Sequence, residues 1–253
     1  MPNGGPDCCG TCWFNSTHKG EVGYFDVPVG VEVRCTIRDL IIEIPFWTYC
    51  ANHPFQASDP IDLPIGPVFV GAGGYPYQRK ISVESPDTET IRDALLQFLN
   101  HMPKRRRARH SPSRFDEAVI DQLARFREAR ALPGLKRVLE FDPLDPPEHG
   151  YCGANRASTI GHALEAIAAI TGNDALPDLL RGLEAGLQKA AQMENYDKFK
   201  DELAIIRYHA VVGLKYCYRE SVKELLVRTT KDPNKHVVAV ATELLQNEGN
   251  WKL

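Results

Sequence analysis

The sequence lacks both a long run of apolar residues and a recognisable export signal. Its apolar stretches, such as Leu40–Ile42, are far shorter than the roughly 20 residues that cross a bilayer. The chain starts Met-Pro-Asn-Gly-Gly-Pro-Asp, with neither a basic region nor an apolar core, so no signal peptide is expected. In the reducing cytoplasm, the seven cysteines should stay reduced, which favours metal ligation over disulfides. We therefore predict a cytoplasmic protein without a membrane segment.

The chain also lacks a large excess of charge of either sign. Its 253 residues carry a net charge of −3, which argues against a protein dominated by nucleic-acid binding. The charge is unevenly distributed, because residues 1–100 hold 6 basic and 12 acidic residues whereas residues 101–253 hold 24 and 21. This length and asymmetry predict two domains.

Five of the seven cysteines lie in the first 53 residues, and four of them, together with one histidine, are candidate metal ligands. Cys9 and Cys12 form a C-x-x-C pair, Cys35 and Cys50 follow, and His53 comes three residues after Cys50. Four such ligands in a short Gly/Pro-rich segment are what a tetrahedral Zn²⁺ site requires. We predict that the four cysteines bind one structural Zn²⁺, with His53 as an alternative ligand and iron as the alternative ion. A closed site leaves no position for water, so its expected role is structural.

Residues 1–84 are predicted to form this metal-binding module. Cys8 has the wrong spacing to Cys12 and is expected not to bind. Partly alternating segments at residues 29–35, 41–44 and 77–83 predict short strands, and a plain turn is expected at the glycine-rich residues 71–74. The module should therefore be β-rich.

Residues 85–112 are predicted to be a helix and a basic linker. Ser85 and Pro86 can begin a helix that continues to about Met102, and Pro103 ends it. Five of the next six residues, Lys104–Arg109, are basic. This cluster could contact phosphates or another acidic surface, but a solvated linker is favoured because no aromatic residue is interleaved with the charges.

A helical repeat is predicted in residues 113–253. The segment at residues 130–139 aligns with residues 174–183, 44 positions later, and a weaker copy starts at Glu220. Each copy follows another apolar-periodic helix, which is typical of an α-solenoid. Matching positions should have matching environments: four leucines facing the core and two arginines facing outward, namely Leu135, Leu139, Leu179, Leu183, Arg137 and Arg181.

Two segments resemble known families. Residues 232–245, with an Asp-Pro start followed by a Val-x-x-x-Ala run, resemble the first helix of a HEAT-like repeat, and the Ala-Leu-Pro-x-Leu segments resemble the second. This resemblance covers residues 113–247 and implies an α-solenoid that binds macromolecules. The run Phe46–Pro54 is similar to N-terminal modules of uncharacterised bacterial proteins and implies no activity. The predicted fold class is α+β: a small zinc-stabilised β-rich module followed by an all-α HEAT-like solenoid.

The sequence does not contain a complete set of catalytic or metal-binding residues for the enzymes considered as alternatives. Some HEAT-like proteins resemble bilin lyases, and others are di-iron hydroxylases with paired His-Glu dipeptides, which this sequence does not contain. His162 and Glu165 have a spacing that can ligate a metal, but without a second pair a surface contact is favoured. His209 and Cys217 are expected in the core. Cys152 has no identifiable base beside it, so catalysis there is disfavoured.

The favoured function is therefore non-catalytic: a zinc-containing HEAT-like protein that mediates protein–protein interaction through its solenoid. The alternative is a nucleic-acid-associated zinc protein that uses residues 104–109. A third possibility is a lyase or chaperone that acts on a cofactor-bearing client. The long Pro-rich loop of residues 141–155 is the best candidate for a recognition element, although a tolerated insertion is slightly favoured.

Overall fold

The computed structural model describes residues 16, 32–35, 40–42, 48–50, 67–72, 75–82, 88–102, 113–143, 156–185, 187 and 196–246. The described residues are mostly helical. The chain divides into two compact units: residues 1–126 with 147–153, and residues 127–146 with 154–253. The predicted domains 1–84, 85–112 and 113–253 stay a prediction.

The first unit contains two small antiparallel sheets. β1 (Arg34–Cys35) pairs with β2 (Leu40–Ile41). β3 (Thr48–Cys50), β4 (Pro67–Ala72) and β5 (Tyr75–Ser82) form a three-stranded sheet in sequence order. Strands therefore occur near three of the predicted positions. The zinc-stabilised β-rich module itself stays a prediction, because most of residues 1–84 lie outside the described residues.

The same unit contains α1 (Thr88–His101) and α2 (Ser113–Arg125), which pack against each other. α1 coincides closely with the predicted helix, because apolar residues recur there at helical spacing. All five residues of its predicted apolar face are buried: Ile91, Leu95, Leu96, Phe98 and Leu99.

In the second unit, short 3₁₀ helices lead into α-helices. Ala129–Ala131 precedes α3 (Leu132–Val138), and Gly172–Ala175 connects α4 (Arg156–Thr171) to α5 (Leu176–Leu183). The proline of each Ala-Leu-Pro segment lies in the first turn of its helix, where its missing N–H group costs no hydrogen bond.

The second unit continues with a similar pair of helices. α6 (Tyr196–Gly213) is followed by a 3₁₀ helix (Leu214–Tyr216) and by α7 (Arg219–Thr229), and α8 (Lys235–Gln246) comes last among the described elements. α4 packs on α6 and α6 packs on α8. α3 packs on α4, α5 on both α4 and α6, and α7 on α8. Helices that stack on the equivalent helix one pair later are compatible with an α-solenoid.

The matching positions of the repeat agree with the structure in part. Leu135, Leu179 and Leu183 are buried, and Arg181 is exposed, as predicted. Arg137 is half-buried, so its predicted outward position agrees with the structure only in part. Leu139 is half-buried rather than buried, because α3 ends at Val138 and Leu139 forms its C-cap.

Candidate functional site

The predicted metal ligands fall largely outside the described residues. Cys35 lies in β1 and the backbone of Cys50 lies in β3, whereas Cys9, Cys12 and His53 are not among the described residues. Within the described part of the chain, no group of three or more histidine, cysteine, aspartate and glutamate side chains is arranged to hold a metal ion. The structural Zn²⁺ site therefore stays a prediction.

Three residues that the sequence analysis considered separately lie together between α4 and α6. The His209 Nδ1 atom hydrogen-bonds to Oε1 of Glu165. The rings of His162 and His209 have their centroids 4.6 Å apart and are tilted by 44°. The side chains of His209 and Glu165 are 13% and 24% exposed, so solvent reaches these three residues. We call His162, Glu165 and His209 the α4–α6 polar cluster.

The hydrogen bond to Glu165 favours one tautomer of His209. An ionised carboxylate can only accept hydrogen bonds, so Nδ1 of His209 carries the proton and donates it to Glu165. In the neutral ring, Nε2 therefore holds the lone pair. Tyr208 meets the same ring edge-on, with centroids 5.4 Å apart, and so adds a second constraint on its orientation.

The close packing of this ring depends on a glycine in α4. A Cβ atom placed on Gly161 would lie 2.4 Å from Cδ2 of His209, well inside van der Waals contact. Only a residue without a side chain lets the imidazole lie directly against the α4 backbone. Gly161 therefore positions His209 beside His162 and Glu165.

Several contacts join residues that are one repeat apart. Glu165 and His209 are 44 positions apart, the same offset that relates the two best sequence copies. The Tyr218 backbone N–H donates to Oδ1 of Asn173 at 3.0 Å, across 45 positions. Lys136 donates to the buried carboxylate of Asp178, across 42 positions. These offsets are expected when successive helical pairs stack in register.

A buried ion pair connects α6 to the turn before α8. Arg207 Nε donates to Oδ2 of Asp232 at 2.8 Å, and Nη2 donates to Oδ1 at 3.2 Å. The third donor, Nη1, binds the carbonyl oxygen of Ala185 at 2.8 Å. Asp232 also accepts the backbone N–H of Asn234 at 2.8 Å, so its carboxylate has partners on both oxygens. Arg207 was not predicted from the sequence, although its charge inside an apolar helix was the available signal.

Cys217 is a core residue, as predicted. It is 2% exposed, and its thiol donates to the carbonyl oxygen of Gly172, with Sγ and O 3.5 Å apart. Burial raises the pKa of the Cys217 thiol to about 11. Because the thiolate is the reactive form, this cysteine is unsuited to nucleophilic chemistry near neutral pH.

Among the described residues of the second unit, the most exposed large apolar side chains lie at α7. Tyr218, the residue before α7, is 67% exposed, and Val227 within α7 is 51% exposed. α7 buries only Val222, Leu226 and Thr229. The exposed residues around Val227 carry both signs of charge. We call six exposed residues in and just before α7 the α7 surface: Tyr218, Glu220, Lys223, Glu224, Val227 and Arg228.

Two sequence-predicted segments lie wholly or mostly outside the described residues. The basic cluster at residues 104–109 is one, and the loop at residues 141–155, with Cys152, is described only up to residue 143. Phe141, at the start of that loop, is buried, and the guanidinium carbon of Arg156 lies 4.7 Å from its ring centroid. This cation–π contact holds the start of the loop against the first turn of α4.

None of the described helices combines the length and apolar character that a membrane crossing requires. Comparison of the chain with protein-family models, with curated proteins and with solved structures finds no match.

Proposed function

We propose that this chain is a non-catalytic helical-repeat protein that binds another protein through the α7 surface. The observation that carries the proposal is the exposure of two large apolar side chains, Tyr218 just before α7 and Val227 within it. The HEAT-like resemblance of residues 113–247 favours the same kind of function. In this proposal the N-terminal residues form a module stabilised by one Zn²⁺ ion.

Tyr218 has the properties of an interface anchor. Tyrosine contributes a large contact area at a low cost in conformational entropy, and it is enriched among residues that dominate binding energy. The backbone of Tyr218 is fixed by the hydrogen bond from its N–H to Asn173. A fixed backbone reduces the entropy that the residue loses when a partner binds.

The charges of the α7 surface favour a protein over a nucleic acid. Glu220 and Glu224 offset Lys223 and Arg228, so the surface has no net positive charge to attract a phosphate backbone. An apolar centre with charged residues of both signs around it is common in protein–protein interfaces. The expected partner surface has an apolar pocket for Val227 or Tyr218 and a charged rim.

Affinity purification followed by mass spectrometry tests the proposal when it is done with matched variants. Val227→Asp places a carboxylate at the centre of the α7 surface, whereas Ala239→Asp places one at an exposed position of α8. The wild type and Ala239→Asp should capture the same partner, and Val227→Asp should lose it while keeping its far-ultraviolet circular dichroism spectrum. Equal capture by all three proteins would reject the α7 surface as the binding site.

The affinity for a purified partner gives a quantitative test. Tyr218→Ala should weaken binding by about 2 kcal/mol, roughly thirtyfold, if Tyr218 is an energetically dominant residue. Ser221→Ala alters an exposed polar residue of α7 outside the defined surface and should have little effect. An unchanged affinity of Tyr218→Ala would show that the tyrosine is outside the interface.

Nucleic-acid association through residues 104–109 is the alternative proposal. Its basis is the density of positive charge, five residues in six. Retention on DNA or heparin that falls steeply with salt, and that disappears when the arginines are replaced, would favour it. Retention unaffected by these replacements would leave protein binding as the better-supported function.

A further inference from the structure

We propose that the α4–α6 polar cluster binds a divalent transition-metal ion through the imidazoles of His162 and His209, with Glu165 as the carboxylate that orients His209. This site is distinct from the cysteine site predicted in residues 1–84 and is independent of the proposed protein-binding function. The ion would belong to the class that favours imidazole, such as Ni²⁺, Cu²⁺ or Zn²⁺.

The separation of the His162 and His209 rings supports a shared metal ion. Metal–nitrogen bonds of about 2.0–2.1 Å place the centroids of two imidazoles in adjacent coordination positions roughly 4.5–5 Å apart. The centroids of His162 and His209 are 4.6 Å apart. Their tilt of 44° also distinguishes the pair from parallel-stacked rings. The separation of the rings is therefore the one expected of two imidazoles that bind one ion.

The hydrogen bond between His209 and Glu165 also supports metal binding by His209. Metal-bound histidines commonly donate their second ring N–H to a carboxylate, which fixes the ring and makes the ligating nitrogen more basic. Glu165 accepts a hydrogen bond from Nδ1 of His209 in this way, leaving Nε2 with its lone pair. Glu165 is therefore a positioning residue in this proposal, and the protein supplies two ligands.

The site is also closely packed and accessible to solvent. α4 and α6 pack closely because Gly161 lets the His209 ring lie against the α4 backbone. The partial exposure of His209 and Glu165 allows water to complete the coordination.

Calorimetric titration of the untagged full-length protein with Ni²⁺ tests the proposal. The wild type should show a binding event that is weakened tenfold or more in His209→Gln and in His162→Gln. His236→Gln removes an exposed histidine of α8 and should bind like the wild type. Unchanged Ni²⁺ affinity in both cluster variants would overturn the proposal, as would an equal loss in His236→Gln.

Glu165→Gln tests the positioning role separately. Loss of an outer carboxylate typically weakens metal binding by about 10–100-fold. Nuclear magnetic resonance of the ring nitrogens should show the proton of His209 on Nδ1 in the wild type and a mixture of tautomers in Glu165→Gln. A wild-type His209 protonated at Nε2 alone would contradict the assignment. If His209→Gln does not fold, the half-buried His162→Gln decides, and its unchanged affinity would reject the site.

Discussion

Replacing Leu179 by alanine should lower the free energy of unfolding of the second unit by about 3–5 kcal/mol. Leu179 is fully buried in α5, the helix that packs against both α4 and α6. The substitution removes three carbon groups, which costs about 2.4 kcal/mol of burial at roughly 0.8 kcal/mol for each. The remainder comes from the cavity that the smaller side chain leaves behind.

The surroundings of Leu179 indicate that this cavity will not collapse easily. A Cβ atom placed on Gly213 would lie 2.7 Å from Cδ2 of Leu179, so the leucine lies directly against the α6 backbone. The same position is 3.5 Å from Cβ of Ala168. Neither glycine nor alanine has a side chain that can rotate into the vacated volume, which places the cost in the upper part of the usual range.

Urea unfolding followed by far-ultraviolet circular dichroism measures the change. Hydrogen exchange of the amides of α4, α5 and α6 assigns it to the second unit, since a two-unit chain need not unfold in one step. Leu180→Ala is the matched control, because Leu180 is a half-buried neighbour in the same helix and should cost less. A loss below about 1 kcal/mol for Leu179, or an equal loss for Leu180, would refute the packing argument.

Three further predictions concern the metal site, the basic cluster and the buried ion pair. Elemental analysis should find about one Zn²⁺ per chain, lost in Cys9→Ser and retained in Cys8→Ser; the reverse would reject the C-x-x-C assignment. Asp232→Asn should cost about 3–5 kcal/mol in urea unfolding because it leaves Arg207 charged and buried, whereas the exposed Asp174→Asn should cost little. Replacing Arg105, Arg106 and Arg107 together by alanine should change the free energy of unfolding by less than about 0.5 kcal/mol. A large fall in melting temperature would mean that the basic cluster is packed.

Helices of the second unit were predictable where packing repeats along the sequence. Leu135 and Leu179 occupy equivalent positions in two copies, and both are fully buried, because the same stripe of each helix faces the neighbouring helices. The starts of α3 and α5 were also recognisable, since proline is compatible with the first turn of a helix but disfavoured in its interior. Leu139 was mispredicted because α3 ends at Val138, whereas α5 includes the equivalent Leu183, and periodicity alone does not specify where a helix ends.

The N-terminal residues were predictable to a smaller extent. The β5 strand lies close to its expected place, because alternating apolar residues indicate a strand over that short range. The zinc site is less predictable than a strand. The spacing of the cysteines limits which of them can reach one ion, but it does not establish that they bind one. Cys35 in β1 and Cys50 in β3 lie on strands of two different sheets, and strand positions alone do not give their separation.

The contacts between helices could have been anticipated from the repeat length itself. In a stack of helical pairs, a residue lies beside the residue one period later, so polar partners are expected at offsets near 44. Glu165 with His209 and Asn173 with Tyr218 meet this expectation. The Arg207–Asp232 pair, 25 positions apart, does not, because it joins a helix to a turn rather than two equivalent positions. A search for charged and polar pairs at the repeat offset would thus have paired Glu165 with His209 from sequence, whereas the Arg207–Asp232 pair required the structure.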